Sequence, residues 1–104
     1  MDDAELMRAL DAAVANWNAL SGAGYDRAES AADEFEASFY RFIDALRDWV
    51  NRLSKRPQTL EELLGLPVMR EIARRLPEPL HLNLETEAEL ILENTVRTEE
   101  DKYD

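Results

Sequence analysis

Residues 35–53 read FEASFYRFIDALRDWVNRL, and apolar side chains recur along this stretch at steps of four, three, four, three and four residues. The six positions are Phe35, Phe39, Phe42, Leu46, Trp49 and Leu53. Steps of three and four place side chains in one stripe along an α-helix. Because an aromatic side chain removes roughly 150–250 Å² from water when it is buried, we expect this stripe to be shielded from solvent along its whole length.

The composition is typical of a small helical protein. The chain has 104 residues, of which 45% are hydrophobic and 34% are charged, and it contains three glycines and no cysteine. This length suits one domain with its own core, which we predict over residues 1–98. The lack of cysteine excludes disulfides, thiol catalysis and thiolate metal sites.

The cellular location is predicted from what the sequence lacks. No apolar run approaches the ~20 residues that cross a bilayer, and the first residues are acidic, unlike the basic flank of a signal peptide. We therefore expect a cytoplasmic protein that does not bind membranes.

The net charge of −11 is divided unevenly along the chain. Residues 1–46 carry a net charge of −7, residues 47–76 carry +3 and residues 77–104 carry −7. The acidic ends can screen the basic middle after folding, or the middle can bind an anionic ligand. We favour screening, because a surface of mixed charge is ordinary.

Two helices that form a hairpin are predicted for the first half of the chain. The first covers about 2–20, and the second covers about 26–54 and ends before Pro57. Between them, the sequence Ser-Gly-Ala-Gly at 21–24 contains two glycines. We expect these glycines to adopt the left-handed conformation that ends many helices.

An antiparallel alignment about this turn predicts which residues face each other. It places Trp17 beside the alanines of residues 28–32 and Leu6 beside Phe39, so that large side chains face small ones at the turn. In this alignment the first helix covers the second only to about Tyr40. The second half of the stripe would then be bare, and we expect later residues or a second chain to cover it.

Two short helices are predicted to provide that cover. Thr59 and Glu62 form a capping-box pattern that begins a helix over 60–64. Pro67 suits the first turn of another helix over 67–76. We expect the apolar side chains of both to lie across the exposed half of the long helix.

The C-terminal part of the chain carries two conflicting patterns. Leucines at 80, 82 and 84 alternate with polar residues as in a strand, whereas Thr86 and Glu89 form a second capping-box pattern. We predict an extended segment over 80–84, a helix over 86–97 and a disordered acidic tail over 99–104. The predicted fold is therefore all-α, with an extended piece that could pair with a second copy.

The acidic residues do not predict a catalytic or metal-binding set. Five carboxylates have helical angles opposite to the apolar stripe and predict a solvated face: Asp26, Glu29, Asp33, Asp44 and Asp48. All-α nucleotide pyrophosphohydrolases hold magnesium with pairs of acids three residues apart, Glu-x-x-Glu and Glu-x-x-Asp, because the cation takes several oxygen ligands. A resemblance to such a small magnesium-dependent hydrolase would imply two inward-facing pairs in this chain. Asp33 and Glu36 form one such pair, and this enzyme class stays an alternative.

Other classes of site fail tests of spacing or composition. His81 is the only histidine, and we expect an exposed polar position there rather than a general base. Residues 57–76 match a helix-turn-helix poorly, because Glu61 stands where that motif needs a small residue. A net charge of −11 also repels phosphates, so we do not expect nucleic-acid binding. We predict no catalytic residue, no cofactor and no metal.

The expected function is that of a non-enzymatic protein-interaction or regulatory module that forms a homodimer or binds another protein. An acidic module that mimics nucleic acid and occupies a basic partner is an alternative from another class. We predict that the interaction is made by the second half of the stripe or by the C-terminal leucines. The residues concerned are Phe42, Leu46, Trp49, Leu53, Leu80, Leu82 and Leu84.

Overall fold

The chain is all-α, as the sequence predicts. A computed structural model describes the backbone of residues 3–101 and the side chains of residues 3–93. Within these residues it contains five α-helices, one short 3-10 helix and no strand. The α-helices are α1 (Ala4–Ser21), α2 (Ala28–Asn51), α3 (Leu60–Leu64), α4 (Pro67–Arg75) and α5 (His81–Asp101), and the 3-10 helix covers Glu78–Leu80.

The helices belong to two compact units, Met1–Ser54 and Lys55–Asp104. The first unit contains the hairpin of α1 and α2, and the second contains the three later helices. The predicted single domain over 1–98 stays a prediction. So does the predicted packing of α3 and α4 across the long helix.

The central part of the apolar stripe, which lies on α2, is buried as expected, whereas the stripe is less shielded at its two ends. Its four central members, from Phe39 to Trp49, are buried, and Phe35 and Leu53 at its ends are half-buried. The neighbouring helix α1 packs along α2 and buries three side chains of its own: Leu6, Leu10 and Ala13. At ~25 cal/mol per Å² of apolar surface, this burial stabilises the fold by several kcal/mol.

The connection between α1 and α2 does not use left-handed glycines, so that prediction is wrong. No described glycine has a positive φ, and Gly22, which caps α1, has a φ of −96°. The cap is instead a backbone hydrogen bond in which Gly22 N donates to Asn18 O at 3.1 Å. Arg27 N then donates to Gly24 O at 3.0 Å, one residue before α2 begins. Hydrogen-bonded turns therefore reverse the chain with an ordinary negative φ at each residue.

The connection also sets the register between α1 and α2. It takes up residues 22–27, so that α2 begins at Ala28 rather than near residue 26. Trp17 contacts Phe35, with ring centroids 5.3 Å apart. Phe35 lies further along α2 than the alanines that the predicted pairing of the two helices placed beside Trp17. The predicted alignment is therefore wrong by at least one helical turn, and the observed connection, residues 22–27, is longer than the predicted one, residues 21–25.

This register extends the cover that α1 gives to α2. Leu6 of α1 lines the same small cavity as Ala45 and Trp49 of α2. The predicted cover ended near Tyr40, about two and a half turns of helix before Trp49. The expectation that the second half of the stripe is bare within the hairpin is therefore wrong at Trp49.

In the second unit, α3 and α4 begin where the sequence predicts. Thr59 Oγ1 accepts a hydrogen bond from Glu62 N at 3.1 Å, and Glu62 Oε2 accepts one from Gln58 N at 2.8 Å. In the usual capping box, the carboxylate accepts a hydrogen bond from the N–H of the N-cap residue itself. Here the Glu62 carboxylate accepts from Gln58, the residue before the N-cap, and still gives a partner to a backbone N–H at the start of the helix. Pro67 occupies the first turn of α4, where its missing N–H has no intrahelical partner to lose.

The predicted extended segment over 80–84 is wrong, because α5 begins at His81 directly after the 3-10 helix. The buried side chains here follow a helical spacing of four, four and three residues: Leu80, Leu84, Ala88 and Ile91. Packing of this face outweighs the strand-like alternation of the leucines and leaves Leu82 outside. Thr86 lies inside the helix, so the second capping-box pattern does not begin one.

The C-terminal helix is longer than predicted. It runs to Asp101, beyond the predicted end at residue 97. Residues 99–101, predicted as the start of a disordered tail, therefore belong to α5. The rest of that predicted tail, residues 102–104, lies outside the described residues.

Candidate interaction surface

Most residues of the predicted interaction set are not accessible to a partner. Five are buried: Phe42, Leu46, Trp49, Leu80 and Leu84. Leu53 is half-buried just beyond the end of α2, whereas Leu82 is 71% exposed. A buried side chain contacts a partner only if the chain rearranges, so Leu82 is the member of the set that a partner can reach.

Leu82 lies in the first turn of α5, within an acidic surface. Glu85 and Thr86, its neighbours one turn along the helix, are both exposed. Leu90, two turns away on the same helix, is 37% exposed. The exposed side of α5 therefore combines apolar residues with carboxylates.

An apolar groove lies beside this first turn of α5. It has a volume of about 250 Å³ and is lined by Leu64, Met69, Arg70, Ala73, His81, Leu84 and Glu85. These residues come from α3, α4 and α5. Met69 and Leu84 are buried and form its floor, whereas Arg70 and Glu85 are exposed at its α4 and α5 edges.

The sequence predicts only one lining residue of this groove, Leu84, as an interaction residue. It predicts that the apolar residues of α3 and α4, among them Met69, cover the long helix instead. The signal that could have found the α4 edge is the spacing of Met69 and Ala73, which are four residues apart and share a helix face.

The two edges of the groove carry opposite charges. Glu71 on α4 binds both Arg74, at 2.9 Å, and Arg75, at 2.8 Å. Arg70 makes no ion pair with any side chain that the structure describes. On α5, the described side chains include four glutamates and neither lysine nor arginine.

His81 has a structural contact rather than the exposed position that we expected. Its ring is half-buried, and Nε2 lies 2.9 Å from Leu76 O. Because a carbonyl oxygen only accepts hydrogen bonds, Nε2 is the donor. Leu76 caps α4, so this bond links the end of α4 to the start of α5. The hydrogen bond positions two lining helices of the groove.

A second, much smaller cavity lies in the hairpin unit. Its volume is about 20 Å³, enough for roughly one water molecule. It is lined by Glu5, Leu6, Ala45, Asp48, Trp49 and Arg52. Trp49 Nε1 is buried and has no hydrogen-bond partner among the described atoms. An unpaired buried donor costs stability, and this one lies within an otherwise apolar stripe.

The carboxylates of the predicted solvated set are exposed, as predicted. Asp26 lies in the connection before α2, the four later acids lie on α2, and all five are exposed, as is Glu36. Among the residues that the structure describes, no three or more acidic or histidine side chains are grouped so that they could hold a metal ion. Asp33 and Glu36 therefore have no second pair beside them.

None of the described helices combines the length and the apolar character that crossing a bilayer requires. No protein-family model, curated protein or solved structure matches the sequence significantly.

Proposed function

We propose that the chain is a non-enzymatic protein-interaction module that acts as a homodimer through its C-terminal segment. The observation that carries this proposal is that an exposed leucine, Leu82, lies beside an apolar groove on the same unit. Association with another chain removes such adjoining apolar surfaces from water. The second half of the α2 stripe supports an interface less well, because Phe42, Leu46 and Trp49 are already buried.

Sedimentation equilibrium tests this proposal. We expect a mass of twice the chain's 12.0 kDa, with dissociation on dilution. A dimer in the micromolar range corresponds to about 8 kcal/mol of association free energy, which a small apolar interface can supply. A monomeric mass at ~100 µM would contradict the homodimer.

An acidic mimic of nucleic acid is the second candidate, and it is favoured by the exposed carboxylates of α2. Asp33, Glu36 and Asp44 all lie in solvent along this helix. Arg47 and Asp44 form an ion pair at 3.1 Å and offset each other's charge, so Asp33 and Glu36 carry most of the free negative charge of this set. A row of carboxylates on a rigid helix could occupy the cationic surface of a nucleic-acid-binding partner.

Competition against double-stranded DNA for a basic probe, protamine, tests the mimic. We expect the protein to displace DNA, and the triple change Asp33→Asn, Glu36→Gln and Asp44→Asn to weaken this displacement strongly at low salt. The matched control neutralises Glu85, Glu87 and Glu89 of α5 by changing them to Gln. Equal losses from both triple changes would mean that net charge alone acts, and the mimic would be rejected.

A further inference from the structure

The groove beside α5 has the composition and the room to act as a socket for an apolar side chain. Its floor is made of Met69 and Leu84, and Ala73 leaves space at the α4 edge because its side chain is a single methyl group. A volume of about 250 Å³ accommodates a leucine or a side chain of similar size. The socket is thus an apolar site with charged residues only at its edges.

The same surface also offers an apolar side chain that could enter such a socket. Leu82 is 71% exposed, and it lies between His81 and Leu84, which both line the groove. A two-fold symmetric contact uses the same patch on both chains and requires that patch to be self-complementary. A projecting leucine adjoining an apolar socket meets that requirement.

The charges at the groove favour a second copy of this chain as the occupant. Two acidic α5 helices would repel each other on their own, because the described part of α5 carries four glutamates and no basic side chain. Arg70 at the α4 edge is exposed and makes no ion pair with a described side chain. It therefore provides the cation that an acidic helix on the opposite chain would need.

We infer that the groove binds a second copy of the chain, with the partner's Leu82 inserted between Met69, Ala73 and Leu84. By two-fold symmetry, Leu82 enters the partner's groove in the same way. Arg70 faces the acidic side of the partner's α5 and offsets the repulsion between the two helices. This inference rests on the proposed homodimer and specifies its contact.

Alanine substitution separates this contact from other modes of dimerisation. Leu82→Ala removes the inserted side chain from both sides of the interface, and we expect the dimer dissociation constant to rise at least about tenfold, equivalent to ~1.4 kcal/mol. Leu90→Ala is the matched control on the same helix and should leave the constant within about twofold. Because alanine is a strong helix former and Leu82 is exposed, both variants should keep the wild-type circular dichroism.

Charge substitution on α4 tests the second part of the contact. Arg70→Gln should weaken the dimer, and the effect should shrink as salt is added. Arg74→Gln changes the same charge on the same helix, but Arg74 is paired with Glu71 and should matter little. Equal effects of the two variants would show that Arg70 has no specific partner across the interface.

A direct contact measurement completes the test. In a mixture of ¹³C-labelled and unlabelled chains, isotope-filtered NMR should detect an intermolecular signal between a Leu82 methyl and the Met69 methyl. The inference would be overturned if the wild-type chain formed a dimer that lacked this signal and was not weakened by Leu82→Ala. The proposed homodimer would then still stand. A wild-type chain that is monomeric at ~100 µM would overturn both.

Discussion

The rings of Trp17 and Phe35 meet across the helical hairpin in an edge-to-face arrangement, with centroids 5.3 Å apart and planes inclined at 63°. This contact fixes α1 against α2 at a specific register. Phe35 in turn lies against Phe39, with centroids 5.7 Å apart, so the pair connects to the buried stripe. The aromatic contacts therefore continue from the end of the hairpin near the turn into its core.

This pair should show a measurable coupling energy. We expect a double-mutant cycle with Trp17→Leu and Phe35→Leu to give about 0.5–1.5 kcal/mol beyond the sum of the single effects. The free energies of unfolding are measured by urea titration of the wild type, both single variants and the double variant. As a control, Trp17→Leu and Phe42→Leu should be additive, because no ring contact joins these two residues among the described side chains. Additivity of the first cycle would contradict the observed register.

Gly24→Ala should stabilise the protein. The glycine has a negative φ, and an added Cβ would meet no atom within 4 Å. Because alanine reduces the freedom of the unfolded chain, we expect a gain of about 0.4–1 kcal/mol in the free energy of unfolding. Gly65→Ala is the comparison: its Cβ would lie 3.3 Å from Glu61 O, and the gain should be smaller or reversed. A loss at Gly24 would favour the left-handed turn that the sequence suggested.

Trp49 should be both stabilising and protected from solvent. The side chain is only 7% exposed, and Trp49→Ala should cost roughly 3–5 kcal/mol. Trp49→Phe should cost much less, because it keeps an aromatic ring and removes the unpaired Nε1–H. Thermal and urea unfolding measure both changes.

The solvent protection of Trp49 can be measured separately by fluorescence. In a Trp17→Phe background, Trp49 is the only indole of the chain. We expect a blue-shifted emission and weak quenching by iodide. Quenching as efficient as that of a free indole would contradict the buried stripe on which the hairpin depends.

The two capping-box patterns should respond differently to substitution. Thr59→Ala removes the side-chain acceptor of Glu62 N and should cost about 0.5–2 kcal/mol. Thr86→Ala replaces an exposed residue inside α5 with a better helix former and should be neutral or slightly stabilising. The free energy of unfolding of each variant gives the comparison. A larger cost at Thr86 would indicate that α5 begins there after all.

The sequence predicted the elements of this fold better than their alignment. The stripe from Phe35 to Leu53 and the cap at Thr59 are local patterns, because residues within one or two turns determine them. The register of Trp17 against Phe35 depends on how many residues the connection consumes, and that length is decided by backbone hydrogen bonds at Gly22 and Arg27. Local patterns alone do not contain this information.

The C-terminal leucines illustrate a second limit of the sequence. Alternation at 80, 82 and 84 is equally compatible with a strand and with a helix that buries Leu80 and Leu84 and exposes Leu82. Tertiary packing decides between them, since the helical face continues through Ala88. The groove could not be predicted for the same reason, because three helices contribute to it.

The hydrogen bond between His81 and Leu76 closes the corner between the last two helices. Nε2 of the first residue of α5 lies 2.9 Å from the carbonyl oxygen of the residue that caps α4. A carbonyl at the C-terminal end of a helix has no intrahelical donor, and here the ring of the next helix supplies one. A brace of this kind restricts the angle at which α5 leaves α4 and so holds the recognition surface between them in one shape.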